Sequence, residues 1–274
     1  MIGILRSGRG LSMNYDLLFI LAFWMAAMTI VTVASVKIVK KYPAYGFAAL
    51  VAFYVAYLLS AQVIATKIAT FDFGTWFGYS LILSTPAAAI IYPFIAQVLD
   101  MINEVYGRKK AIAAVMIALA TQVLYVMFVA MAVKIPAASF YEYDEAWTAI
   151  LALSVGVTLG SWISFFVCSL LDAYVFSYLK RKLKPRESAF KGDSFFNPYI
   201  WIRSLVSDAF SLAVDSFIFV FIAFYLIGGY PWEVVTVLIT GQLIVKVFIG
   251  VADTPWFILY KRMIGKTDLS ETTT

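Results

Sequence analysis

Charged side chains stand inside stretches that are otherwise apolar, and their types and spacing set what chemistry this chain could do. Asp100, Asn103 and Glu104 occupy i, i+3 and i+4, which places them on one helix face. Asp172 stands alone in a second apolar run, Arg203, Asp208 and Asp215 in a third, and Lys246 and Asp253 in a fourth. A charge at mid-membrane costs about 3 kcal/mol on insertion scales, so each retained charge needs a reason. Helical rise gives depth. Asp100, Asp172 and Asp253 each lie eight residues before a basic residue, Arg108, Lys180 and Lys261. That is about 12 Å above a basic band. Asp208 falls at a similar depth, so four carboxylates from four helices share one layer. Asp215 and Lys246 fall near the middle of their runs and form the natural midplane ion pair.

These groups admit two uses. As polar glue they tie helices together; Glu104 with Arg108 also reads as a plain i,i+4 pair. As a site, a buried carboxylate accepts two adjacent N–H donors, while a lysine or amide serves a neighbouring carbonyl. Glu142, Asp144 and Glu145 belong to a solvated loop and carry neither use.

The elements that must hold these residues are membrane helices. Of 274 residues, 63% are apolar and 14% charged, against roughly 45–50% and about 25% in soluble domains. Crossing a bilayer takes about 20 apolar residues. Seven runs qualify: 17–36, 45–66, 76–102, 111–133, 147–178, 199–227 and 232–260. The expected fold class is an all-α polytopic membrane protein: a six-helix core over 45–265 and an extra N-terminal helix within 1–44. The polar segment 266–274 is expected to be a disordered cytoplasmic tail. Ala48, Ala52, Ala56 and Ser60, and the Gly156/Gly160 pair, are expected helix-packing positions. Pro86, Pro93 and Pro255 interrupt apolar runs, as broken helices do near transport sites.

Loop charge orients the chain. Lys37, Lys40 and Lys41, then Arg108, Lys109 and Lys110, then the basic run from Lys180 to Lys191, then Lys261, Arg262 and Lys266 fall on alternate loops. The expected topology is N-terminus out and C-terminus in, with Arg6 and Arg9 as the dissent. A basic surface of this kind meets anionic lipid, with no reason to invoke nucleic acid. No cleaved signal peptide is expected.

Other chemistries lack their residues. There is no histidine and one cysteine, Cys168, so no metal cluster is expected, and proton coupling would fall to Asp or Glu. HExxH, GxSxG and GxxxxGK[ST] are absent, so neither an enzyme nor an ATPase is expected, and no cofactor.

Specific segments carry a resemblance. Residues 97–107 read Gln-Val-Leu-Asp-Met-Ile-Asn-Glu-Val-Tyr-Gly and run into a basic loop. Residues 60–67 read Ser-Ala-Gln-Val-Ile-Ala-Thr-Lys, 169–176 Ser-Leu-Leu-Asp-Ala-Tyr-Val-Phe, and Asp215 opens an aromatic run to Phe224. Over about 45–265 the chain resembles the vitamin uptake/queuosine precursor transporter family, departing at Gln62, where many relatives carry Asn. The resemblance implies uptake of 7-deazaguanines for tRNA modification, chiefly 7-cyano-7-deazaguanine, with the aminomethyl form as a second substrate. It implies a multi-pass protein of the cell (inner) membrane. Its partners would be that small molecule, the bilayer, a coupling ion and a second copy in a homo-oligomer. The expected substrate-binding set is Gln62, Asp100, Asn103, Glu104, Asp172, Arg203, Asp208, Asp215, Lys246 and Asp253. A variant is a substrate-binding subunit that borrows an ATPase. The alternative from another class is a seven-helix receptor or retinal photoreceptor with Lys246 as Schiff-base lysine.

Overall fold

A computed structural model of the chain describes residues 15–76, 79–190, 197–227 and 229–265. Arg6, Arg9, Lys191, Lys266 and the tail 266–274 lie outside the described residues, as do the side chain of Asp208 and Gly156 of the glycine pair. Six helices make up most of the rest: α1 (Tyr15–Lys41), α2 (Pro43–Ile64), α3 (Tyr92–Val133), α4 (Asp144–Ala189), α5 (Pro198–Val220) and α6 (Trp232–Ile264). A π-helical stretch, Phe221–Ile227, prolongs α5. Starts are marked chemically. Proline opens α2, α3 and α5, where the first N–H has no intrahelical partner to lose. Asn197 caps α5 by accepting the Tyr199 N–H at 3.1 Å.

All six helical segments are long and apolar enough to cross a membrane. Their apolar side chains also face outward: Phe19, Phe128, Ile163 and Phe248 are all more than half exposed. Outward apolar faces on long helices are what lipid requires. The core lies between α2, α3 and α4 and the inner end of α6. Leu50, Tyr54, Val98, Met101, Ile102, Ala111, Ala114 and Ala118 are buried there.

The third apolar run, 76–102, is not one helix. Its first part is a strand of an antiparallel hairpin, β1 (Ile68–Trp76) and β2 (Tyr79–Pro86), registered from Ile68 opposite Pro86 to Trp76 opposite Tyr79. A 3-10 turn, Ala87–Ile90, then leads into α3. An apolar run alone does not separate strand from helix, and here Ile82 and Thr85 with the flanking Trp76 and Tyr79 favour the pleat by type. Pro86 ends it, having no N–H for the ladder.

α3 also reverses. Gly107 has φ +78° and ψ 172°, outside helical space. Before it, Phe94 meets Tyr57 and Tyr106 meets Phe47. After it, Lys110 meets Phe47 and Gln122 meets Gln62. The chain therefore runs down α2 to Gly107 and back up beside it.

Two further expectations are corrected. The basic segment after Lys180 is not a loop, because α4 stays helical to Ala189. The stripe Ala48, Ala52, Ala56 and Ser60 faces outward. α2 packs instead through Gly46, Leu50, Tyr54, Leu58 and Gln62, where the larger side chains carry the burial and Gly46 admits the Tyr106 ring end. Gly160 is buried. α1 is tied to the rest by Trp24, whose indole N–H donates to the Ile90 carbonyl at 2.9 Å, and by Trp256, which donates to Thr29 at 2.9 Å.

Candidate functional site

Where the hairpin meets the helices, a cavity of about 110 Å³ opens. α2 contributes Leu58, Ala61 and Gln62; the segment around the 3-10 turn contributes Pro86, Ala88 and Ala89; α3 contributes Tyr92 and Ile95. α4 gives Ser161, Phe165 and Ser169, α5 gives Asp215 and Phe219, and α6 gives Gln242 and Lys246. The non-α-helical backbone around Pro86, Ala88 and Ala89 lines this cavity, the setting in which irregular backbone is tolerated within a membrane protein.

Asp215 and Lys246 form a buried ion pair between Asp215 Oδ2 and the Lys246 ammonium. The pair is supported on both sides. Ser164 on α4 donates its hydroxyl to Asp215 Oδ1 at 2.7 Å. The Lys246 ammonium sits 4.2 Å from the ring centroid of Tyr92, a cation–π contact. Four helices thus converge on one charge pair. A desolvated pair with its second partners in place is held in one geometry, and each charge makes the other tolerable. Exposed to the cavity, the carboxylate keeps lone pairs and the ammonium keeps N–H donors for a ligand.

Gln62 is the third sequence-named residue at the cavity. Its amide donates to Gln122 Oε1 at 2.5 Å and its carbonyl accepts from Thr158 at 2.8 Å, linking α2, α3 and α4.

The other named residues stand elsewhere. Asp172 accepts Ser207 at 2.7 Å and Ser211 at 3.4 Å. It lies eight residues from Ser164 along α4, about 12 Å toward the basic end. Ser164 with Asp215 and Ser207 with Asp172 are reciprocal serine–aspartate pairs between antiparallel α4 and α5. Asp100 and Asp253 are buried and do not line the cavity. Asn103 donates to the Ala173 carbonyl at 3.4 Å and accepts from Ser177 at 3.1 Å.

Glu104 belongs to an ionic cluster. Its Oε2 is 3.3 Å from Lys180 and 3.3 Å from Arg203, and its Oε1 is 3.7 Å from Lys261. Glu187 completes the cluster at 3.2 Å from Arg203, and it also pairs with Lys261. Arg203 is buried, its guanidinium 4.8 Å from Phe176 and 5.7 Å from Phe257. The expected Glu104–Arg108 pairing is not formed; Arg108 instead stacks on Tyr174 at 4.6 Å. Fifteen residues of α6 separate Lys246 from Lys261, about 22 Å, so cluster and cavity are distinct. No group of acidic, Cys or His residues among the described residues is arranged to hold a metal ion.

Sequence reasoning missed Tyr92, Ser164, Phe165, Phe219 and Gln242. A Tyr, Ser, Phe or Gln in a membrane helix is ordinary in type, so only the fold singles these out. The Gln242–Lys246 spacing of four residues on one helix was the available signal.

Comparison with known proteins adds three findings. The family described as "Putative vitamin uptake transporter" matches residues 86–260. A "Probable queuosine precursor transporter" of Bacillus subtilis (strain 168) is 29% identical over 190 residues, covering 69% of this chain and 76% of its own. No solved structure matches.

Proposed function

The chain belongs to the vitamin uptake transporter family, and from that premise we propose that it imports queuosine or archaeosine precursors across the cell (inner) membrane. The substrate of choice is 7-cyano-7-deazaguanine, with its aminomethyl form as the second. The observation that carries this reading is the cavity with the Asp215–Lys246 pair in its wall. A 7-deazaguanine presents a ring N–H and an amino group side by side, with a carbonyl next to them. Asp215 accepts the two donors and Lys246 donates to the carbonyl. Tyr92, Phe165 and Phe219 supply flat apolar surface for the ring faces. The name of the Bacillus subtilis relative supports the substrate class.

In this reading Asp215, Lys246 and Gln62 touch the ligand. Asp100, Asn103, Glu104, Asp172, Arg203 and Asp253 hold the helices around it. In this reading α3 counts as two passes about Gly107, which makes seven in all, with the start of α1 on the outer side. The test is accumulation of labelled 7-cyano-7-deazaguanine by cells unable to make it. The expected result is accumulation only where the chain is produced. Equal accumulation with and without it overturns the proposal.

A further inference from the structure

One polar group at the cavity has no use in the pairing just described. Gln242 lies on α6 one turn before Lys246, lines the cavity and is 2% exposed. Its Oε1 accepts no hydrogen bond from the described residues. A buried carbonyl without a donor bears its desolvation cost with nothing returned, so native structures rarely keep one. A Cβ on Gly241 would stand 2.7 Å from the Ser84 carbonyl oxygen, so β2 lies directly on the α6 backbone. β2 therefore packs on α6 beside Gln242, whose side chain lines the cavity.

We propose that Gln242 is a specificity-determining residue whose carbonyl accepts an N–H from the ligand edge remote from the Asp215–Lys246 pair. This rests on the deazapurine reading. Side chains four apart on a helix stand about 5–6 Å from each other, comparable to the width of a fused two-ring base. A ligand held by its amino edge at Asp215 and Lys246 therefore turns its five-membered ring toward Gln242. In a free 7-deazaguanine that ring carries an N–H. In a nucleoside the same nitrogen bears the sugar, so the donor is gone and its place is filled. Gln242 is thus the group by which the cavity accepts free bases and rejects their nucleosides. The aminomethyl form keeps the ring N–H and passes the same test.

The experiment is equilibrium binding to the purified full chain in lipid nanodiscs. The probes are labelled 7-cyano-7-deazaguanine and its derivative methylated on the five-ring nitrogen. The wild-type chain is expected to bind the free base at least about tenfold more tightly than the methylated one, a difference of about 1.4 kcal/mol. Gln242→Met, which keeps length and bulk without an acceptor, is expected to lose about tenfold on the free base and little on the methylated one. Gln242→Glu, which keeps the acceptor, is expected to preserve the preference. If wild type binds both probes equally, or Gln242→Met keeps the full preference, the role of Gln242 is wrong while the proposed substrate stands. If wild type binds neither, the substrate reading itself fails. The wild-type ratio needs no variant, so the inference stays testable even where a substitution prevents folding.

Discussion

Lys246 carries the strongest energetic constraint on any single side chain here. The residue is 6% exposed, and its ammonium is paired with Asp215 and set over the Tyr92 ring. Removing one member of a buried pair leaves an uncompensated charge and costs about 3–5 kcal/mol. Lys246→Ala and Asp215→Asn are each expected to lower the amount of folded protein in the membrane and to abolish uptake. The double change Asp215→Asn with Lys246→Met removes both charges, so abundance is expected to return while uptake does not. Immunoblotting of membranes beside labelled uptake reads the two effects separately. Normal transport by the double variant would mean that the pair only holds helices together. The pair was legible in sequence because a charge in an apolar run is expensive and therefore conspicuous. Ser164, which fixes Asp215, was not, because a serine costs little in a membrane helix and leaves no trace in composition. Asp172 and Glu104 were conspicuous for the same reason as Lys246. Charge alone does not say whether a residue faces a cavity or a neighbouring helix; the serines of α5 and the cations of the basic end decide that.

Two glycines position the hairpin and α3, and they do so for different reasons. Gly107 needs its backbone: φ +78° with ψ 172° lies in a region essentially reserved for glycine, and a Cβ there would meet nothing within 4 Å. Gly107→Ala is therefore a strain of about 1–3 kcal/mol with no steric clash. Gly241 needs its surface: its backbone is helical, but an added Cβ would collide with the Ser84 backbone oxygen. Gly241→Ala must push β2 away from α6, at the wall of the cavity. Gly107→Ala is expected to lower the melting temperature of the purified protein while leaving uptake per folded molecule near wild type. Gly241→Ala is expected to depress uptake per folded molecule severalfold. Equal uptake by the two variants, normalised to folded protein, would show that the hairpin's seat on α6 does not shape the site. Apolar runs were visible in sequence through length and hydropathy, which the bilayer itself imposes, but seven were read as helices where six helical segments are long enough to span. The hairpin was not, because β2 lies inside an apolar run, and an apolar run alone does not separate a strand from a helix.

At the scale of the whole molecule, the two ends differ in chemistry. One end gathers the cations: Lys41 stands over Tyr42, Arg108 over Tyr174, Lys110 over Phe47 and Lys182 over Tyr178, at 4.6–5.7 Å from the ring centroids. The ionic cluster around Arg203 lies at this end too. The other end carries Glu142, Asp144 and Glu145, with Tyr141, Tyr143, Trp147, Tyr230 and Trp232 exposed around it. Aromatic residues at both rims and cations at one follow the pattern of membrane proteins, in which the positive-inside rule expects the basic end in the cytoplasm. Helix direction agrees with this only if α3 counts as two passes. The basic residues 108–110 at its middle then reach the same side as Lys41 and Lys182, while Val133 returns to the acidic side. Single cysteines decide between this arrangement and a straight α3, in a Cys168→Ala background. Lys109, Lys184 and Glu142 are all exposed and suit the purpose. In intact cells a membrane-impermeant maleimide is expected to label Glu142→Cys and to spare Lys109→Cys and Lys184→Cys, which should react only after the membrane is opened. Labelling of Lys184→Cys from outside would invert the protein. A straight α3 would hold position 109 within the bilayer, so Lys109→Cys that stays unreactive even after the membrane is opened would remove the reversal at Gly107 and with it the seventh pass.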